Sequence, residues 1–209
     1  MEQRKMKKLV DSVSKIAHSF KKSEVECLIQ LFDSLVEKQG GKIANGQLDR
    51  NTFRGILYNI FGMTDDMLMN RVFFVFDKDG DNYISIQEWV KGLSVFLRGT
   101  FEEKIKFCFE VYNLTGDGYI SREKIFDMLK NSLSQQSSEE TEEGIKELID
   151  LTLKKMDYDN DDKISFADFE RAVKKDQLLL EVFGPCLPDT KSCLHFEALV
   201  FKNKMPASL

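Results

Sequence analysis

An all-α protein of two lobes, each a pair of helix–loop–helix units, is the fold class this sequence predicts. Three observations carry the prediction. A 12-residue loop frame recurs four times with an aliphatic residue at its eighth place: Leu48, Ile84, Ile120 and Ile164, spaced by 36, 36 and 44 residues. Apolar residues around the loops fall at helical spacing. Two of the loops, 77–88 and 157–168, set acidic side chains at their first, third, fifth and twelfth places. Such a period marks repeated supersecondary units.

The elements follow in order. Residues 1–22 carry Arg4, Lys5, Lys7, Lys8, Lys15, Lys21 and Lys22 against Glu2 and Asp11, with Met6, Leu9, Val10, Val13, Ala17 and Phe20 as an apolar stripe. This is a basic amphipathic helix, either docked on the first lobe with its lysines in water or offered to an acidic protein surface or anionic lipid. The N-terminal lobe, 23–98, contains the loop 41–52 ("GKIANGQLDRNT"), eroded to a single acid at Asp49, and then the loop 77–88. Before the latter, Met67, Val72, Phe73 and Phe76 lie at helical spacing, with Thr64 as the expected N-cap. The C-terminal lobe, 99–175, opens on the capping box "TFEE" and continues through Ile105, Phe109 and Tyr112 into the loop 113–124. The polar stretch 134–144 reads as a longer linker. Ile145, Leu148, Ile149, Leu153 and Met156 then form one apolar face before the loop 157–168. Residues 176–209 hold two apolar patches around a Gly-Pro break, expected either to pack as core or to lie in the C-terminal lobe's own groove.

The acidic loops have the chemistry of the EF-hand. Ca²⁺ takes six to eight hard oxygens at about 2.3–2.6 Å. In the 77–88 loop Asp77, Asp79 and Asp81 would supply carboxylates, Tyr83 its backbone carbonyl, Ser85 a bound water, and Glu88 a bidentate closure. The second set is Asp157, Asp159, Asp161, the Lys163 carbonyl, Ser165 and Asp168. The sixth place, where the chain turns with positive φ, holds Asn82 and Asp162 in place of the usual glycine. These are the side chains that best tolerate that region, at a cost of about 1 kcal/mol. Asp168 is one methylene shorter than Glu88, which tilts its loop toward Mg²⁺ or weaker Ca²⁺ binding.

The 113–124 loop offers Asn113, Thr115 and Asp117, then Lys124 where the closing carboxylate belongs. One carboxylate beside an ammonium does not hold a divalent cation, yet Gly118 and Ile120 keep the turn and the short β contact. Each lobe therefore pairs one degenerate hand with one competent hand, and the degenerate loop retains its shape because its neighbour needs a partner.

Composition bounds the rest. The chain has 209 residues, 31% charged and 42% hydrophobic, with a net charge of −5, which argues against nucleic acid as the main partner. Seventeen Phe and eight Met supply adaptable apolar surface. The N-terminus shows neither a signal-peptide pattern nor Gly at position 2, so no myristoyl membrane anchor is expected. Cys27, Cys108, Cys186 and Cys193 lack C-x-x-C spacing and read as reduced thiols of an intracellular protein; His18 and His195 stand alone, and no zinc site is expected.

Nearly the whole chain resembles the neuronal calcium sensor and calcineurin-B group of four-hand proteins. The segments "NIFGMTDDMLMNRVF", "SVFLRGTFEEKIKFCFEVY" and "EVFGPCLPD" lie outside the loops and are similar to the calaxins, the ciliary branch of that group. The resemblance implies a Ca²⁺ sensor in the axoneme of cilia and flagella and in the cytoplasm. Its implied partners are the outer-arm dynein heavy chain and axonemal tubulin or docking components. Calaxins generally carry three competent loops, and Lys124 with Asn113 departs from that pattern.

Three function classes compete. An enzyme is disfavoured, because the clustered carboxylates serve as metal ligands and no nucleophile–base set is visible. A non-switching scaffold, a Ca²⁺ buffer or a calcineurin-B-like regulatory subunit of an enzyme is the alternative. A sensor fits best, because Phe- and Met-rich hand faces are what an opening hand exposes.

Overall fold

A computed structural model describes residues 2–39, 46–133 and 139–202. Among them ten α-helices and four short strands alternate: α1 (Glu2–Val13), α2 (Lys22–Lys38), β1 (Leu48–Asp49), α3 (Arg50–Asn59), α4 (Asp66–Phe76), β2 (Tyr83–Ile84), α5 (Ile86–Arg98), α6 (Phe101–Tyr112), β3 (Tyr119–Ser121), α7 (Arg122–Leu133), α8 (Glu139–Met156), β4 (Lys163–Ser165), α9 (Phe166–Lys175) and α10 (Thr190–Glu197). A 3₁₀ turn at Gln177–Glu181 and a π turn at Ala198–Lys202 complete the tail. The fold is all-α with EF-hand pairs.

The loop frame sets the pairing. β1 and β2 are antiparallel with Leu48 opposite Ile84, and β3 and β4 are antiparallel with Ile120 opposite Ile164. All four eighth-place side chains are fully buried. The expected contact between eighth residues is therefore present in both pairs.

The chain forms two compact units: Met1–Met63 with Phe73–Thr100 and Pro188–Leu209, and Thr64–Val72 with Phe101–Leu187. In the first, Phe53 meets Phe73, Phe76 and Trp89 at ring-centroid distances of 5.8, 4.9 and 6.3 Å, and the Trp89 indole donates to Leu28 O at 3.3 Å. Phe196 of α10 is buried in the same core, 5.4 Å from Phe61. Arg98, at the end of α5, forks onto Glu24 (2.9 and 3.0 Å) and donates through Nε to Glu197 (2.6 Å), with the Phe20 ring 4.9 Å from its guanidinium carbon. These two carboxylates raise the guanidinium's pKa further, Glu197 most. The bidentate fork fixes geometry as well as charge.

In the second unit Tyr112 is fully buried, donates to Gly184 O at 2.6 Å, and meets Phe183 edge-on at 5.2 Å. Arg71 donates to Glu110 O, Val111 O and Asn113 O at 3.2, 3.2 and 2.9 Å, satisfying carbonyls where α6 ends and the 113–124 loop begins.

Three local expectations change, and the tail takes the core alternative in both units. The side chain that caps α4 is Asp65, which accepts from Leu68 N at 2.9 Å, one residue later than Thr64. The N-terminal helix stops at Val13, so Ala17 and Phe20 reach the core from the turn beyond it. Of the linker 134–144, residues 139–144 are the start of α8, in keeping with their glutamate-rich sequence, and 134–138 lie outside the described residues. The tail places Leu179, Phe183 and Cys186 in the core of the second unit, and Phe196 and Val200 in that of the first.

Candidate metal centres

Each acidic loop begins where a helix runs out of partners, so its first aspartate inherits the unfinished amides of the turn. Asp77 Oδ1 accepts from Gly80 N (2.9 Å) and Asp81 N (3.2 Å), and Oδ2 from Asn82 N (3.0 Å). Asp157 repeats this with Asn160 N, Asp161 N and Asp162 N at 2.8, 3.3 and 3.0 Å. Asn82 and Asp162 take φ of 67° and 61°, as expected for the sixth place, and Gly46 and Gly118 take 77° and 89° in the other two loops.

The turns gather the acids. Carboxylate oxygens of Asp77, Asp79 and Asp81 lie within 4.8 Å of one another, and those of Asp157, Asp159 and Asp161 do the same. Tyr83 and Lys163, the seventh-place residues, open β2 and β4. Three hard anionic donors converging on one point fit a hard divalent cation, and Ca²⁺ is the ion this donor set suits. Crowding raises the carboxyl pKa of Asp77, by burial first and by Glu88 and Asp81 among the neighbouring charges. Asp159 is raised too, by desolvation and then by Asp161, with Asp168 and Asp157 adding to it. A bound cation would relieve this repulsion.

The twelfth places differ. Glu88 and Asp168 both close a capping box with the serine three residues before them. Glu88 also reaches back across its loop, accepting through Oε1 from Lys78 N (2.7 Å) and Asp79 N (3.2 Å) while Oε2 holds Ser85 N and Oγ. Asp168 is buried against the start of its own helix, with Oδ2 on Ser165 N (3.1 Å) and Oγ (2.6 Å).

In the 113–124 loop Lys124 Nζ donates to Asn113 Oδ1, Asp117 Oδ1 and Tyr119 O at 3.3, 2.5 and 2.6 Å. The Asp117 carboxyl is pulled down to about 2, by its hydrogen bond to Lys124 first. Of the 41–52 loop only 46–52 fall among the described residues, and these brace the competent neighbour: Gln47 Nε2 donates to Asp81 Oδ2 at 2.7 Å and Arg50 to Asn82 Oδ1 at 2.9 Å. Nothing in the loop spacing marks Gln47 or Arg50, because their partners lie 34 and 32 residues away.

A family model described as an EF-hand domain pair matches residues 102–174, and one described as an EF hand matches residues 69–94. Calaxin from Bos taurus is 60% identical over 208 residues, covering 97% of each chain. Calaxin from Homo sapiens is 58% identical over 207 residues, again 97% of each. The calcineurin-B protein of Schizosaccharomyces pombe is 34% identical over 156 residues, 74% of this chain and 83% of that protein.

Proposed function

The chain belongs to the calaxin family of EF-hand proteins, a family of calcium sensors, and on that premise we propose that it tunes the outer-arm dynein heavy chain where that motor docks on axonemal microtubules in cilia and flagella. It acts as a non-catalytic regulator, with Ca²⁺ at 77–88 and Ca²⁺ or Mg²⁺ at 157–168. One observation carries the sensing part. Glu88 is bonded to both ends of its loop and stands in the first turn of α5. A cation that draws on Glu88 therefore draws on α5 and the residues along it.

The motor part is supported by the family resemblance and by charge. Arg4, Lys5, Lys7, Lys8 and Lys15 are exposed while Val10 and Val13 are buried. An acidic tubulin surface suits that basic face. Because the face lies outside the loops, attachment persists without Ca²⁺, and the ion strengthens or rearranges it. A ligand shifts an equilibrium by its differential affinity, typically about 1–3 kcal/mol.

The test is binding to purified axonemes and outer-arm dynein, in Ca²⁺ and in chelator. Wild type should bind in both and change with Ca²⁺, and Glu88→Gln should lose the change. Failure of Glu88→Gln to bind at all would show that anchoring and sensing are not separate. The likeness to the calcineurin-B protein favours one other reading, a regulatory subunit of an enzyme. A phosphatase retained with the chain in place of dynein would establish it. Equal apolar dye binding with and without Ca²⁺ would instead mark a buffer.

A further inference from the structure

A lysine at the closing position of an EF-hand loop would ordinarily face away from the loop, since an ammonium repels any cation bound there. Lys124 does the reverse. It turns inward, is only 7% exposed, and spends all three N–H donors on acceptors from the first, fifth and seventh places of its own loop: Asn113 Oδ1, Asp117 Oδ1 and Tyr119 O. These are the places that supply ligands in a competent hand. A buried ammonium with fewer partners would be strongly destabilising, so this match of donors to acceptors is what makes its burial tolerable.

We propose that Lys124 is a resident cation: its ammonium stands in for the metal of the third hand, holds the 113–124 loop closed at any Ca²⁺ level, and so keeps β3 in place as the template for β4. The surrounding residues agree in detail. Gly118 keeps the left-handed turn at φ 89°. Asn113 replaces the usual aspartate, so the loop presents one carboxylate, Asp117, to one ammonium. The β3–β4 ladder spans three residue pairs, against two for β1–β2, where the degenerate loop has no such lysine. The 157–168 loop therefore meets Ca²⁺ with its neighbour already ordered, and its affinity is not reduced by the cost of ordering a partner.

The experiment is amide hydrogen exchange on the full-length chain in chelator, comparing wild type with Lys124→Met, which keeps the aliphatic stem and removes the three donors. Loss of charge-assisted hydrogen bonds in a buried place predicts a fall in protection at Ile120 and Ile164 of about tenfold or more. Protection at Leu48 and Ile84, in the other pair, should stay within about twofold, because the hydrogen bonds of the Lys124 ammonium lie within its own loop. A smaller fall at Ile120 and Ile164, or an equal one at Leu48 and Ile84, overturns the proposal. If Lys124→Met does not fold, Asn113→Asp with Lys124→Glu decides the matter. There the ion must replace the lysine, so protection at Ile120 should be low in chelator and restored by Ca²⁺. Protection that is equally high in chelator overturns the proposal. Neither readout involves a motor, so the outcome is independent of the proposed function.

Discussion

The loops 77–88 and 157–168 carry the same acids at their first three ligand places and differ at the closure. Glu88 spans its loop, whereas Asp168 stays with the serine at its helix start. The following helices differ in the same sense. One turn on, α5 has Gly92 with the Phe76 ring against it, where α9 has Ala172, and Trp89 stands where α9 has Phe169. Asp77 is buried and Asp157 is half-buried. The first site is thus closed across its loop by its twelfth-place side chain, while the second is not. A tight closure couples an ion to a helix; a loose one binds the ion with less consequence.

The largest test of this contrast removes the closure itself. Glu88→Gln leaves a neutral group that still serves the capping box, so the fold should survive while Ca²⁺ affinity at 77–88 falls by about a hundredfold or more. That exceeds the roughly 10–100-fold cost of losing an outer partner of a metal ligand. Calorimetry should then count one strong site fewer. If affinity falls by less than an outer partner would cost, closure at 77–88 does not depend on the Glu88 charge.

Next in size is the fit of α5. A Cβ at Gly92 would stand 2.3 Å from two carbons of the Phe76 ring, which is itself held by Phe53 at 4.9 Å and Phe96 at 5.8 Å. Gly92→Ala should therefore destabilise the first unit by about 1–2 kcal/mol, overpacking outweighing the roughly 1 kcal/mol that alanine adds to a helix. Ala172→Gly should cost about 1 kcal/mol by propensity alone. Chelator-state denaturation of both variants compares them, and a stabilised Gly92→Ala would show that the Phe76 ring moves freely.

A smaller effect comes from lengthening the weak closure. Asp168→Glu adds the missing methylene and should raise Ca²⁺ affinity at 157–168 by about tenfold, moving its preference away from Mg²⁺. Competition titrations with the two ions report this directly. An unchanged preference would place the limit elsewhere than reach.

Much of this was legible from local pattern. The eighth-place aliphatics announced both ladders, because a repeated loop fixes which residues meet regardless of the intervening sequence. Asn82 and Asp162 announced their own positive φ, because few side chains tolerate it. What escaped depends on distance along the chain. Gln47 and Arg50 brace a loop more than 30 residues away, Arg71 caps a helix 40 residues on, and the tail splits at Pro188 between two cores. No window of sequence contains such pairs. Lys124 escaped for a different reason: charge alone marks it as hostile to a metal, and only its inward rotamer shows it bonded within the loop.

The subtlest difference between the loops should appear with no ion at all. The Asp77 carboxyl is held above its ordinary 3.8, chiefly by burial, with Glu88 and Asp81 adding repulsion against the N–H groups of Asn82 and Gly80. A carboxyl raised in the fold stabilises it fully below the unfolded value, and that contribution is lost as pH rises through the folded value. At neutral pH the metal-free chain therefore bears a cost at Asp77. Asn keeps one oxygen for the amides of Gly80 and Asp81, removes the charge, and gives up the bond from Asn82 N. In chelator at pH 7, Asp77→Asn should stabilise the chain by up to about 1 kcal/mol, within the range of modest single substitutions. The gain should shrink as pH falls toward 3.8, where wild type takes up the proton itself. Asp157→Asn, at a less buried place, should gain less. In saturating Ca²⁺ the sign should reverse, since Asp77→Asn loses a ligand and with it the ion's stabilisation. Thermal denaturation of both variants across pH, with and without Ca²⁺, measures each of these. A lower chelator midpoint for Asp77→Asn would mean that the amide bonds to the carboxylate outweigh its desolvation, and that the first loop is preorganised for its ion rather than strained until the ion arrives.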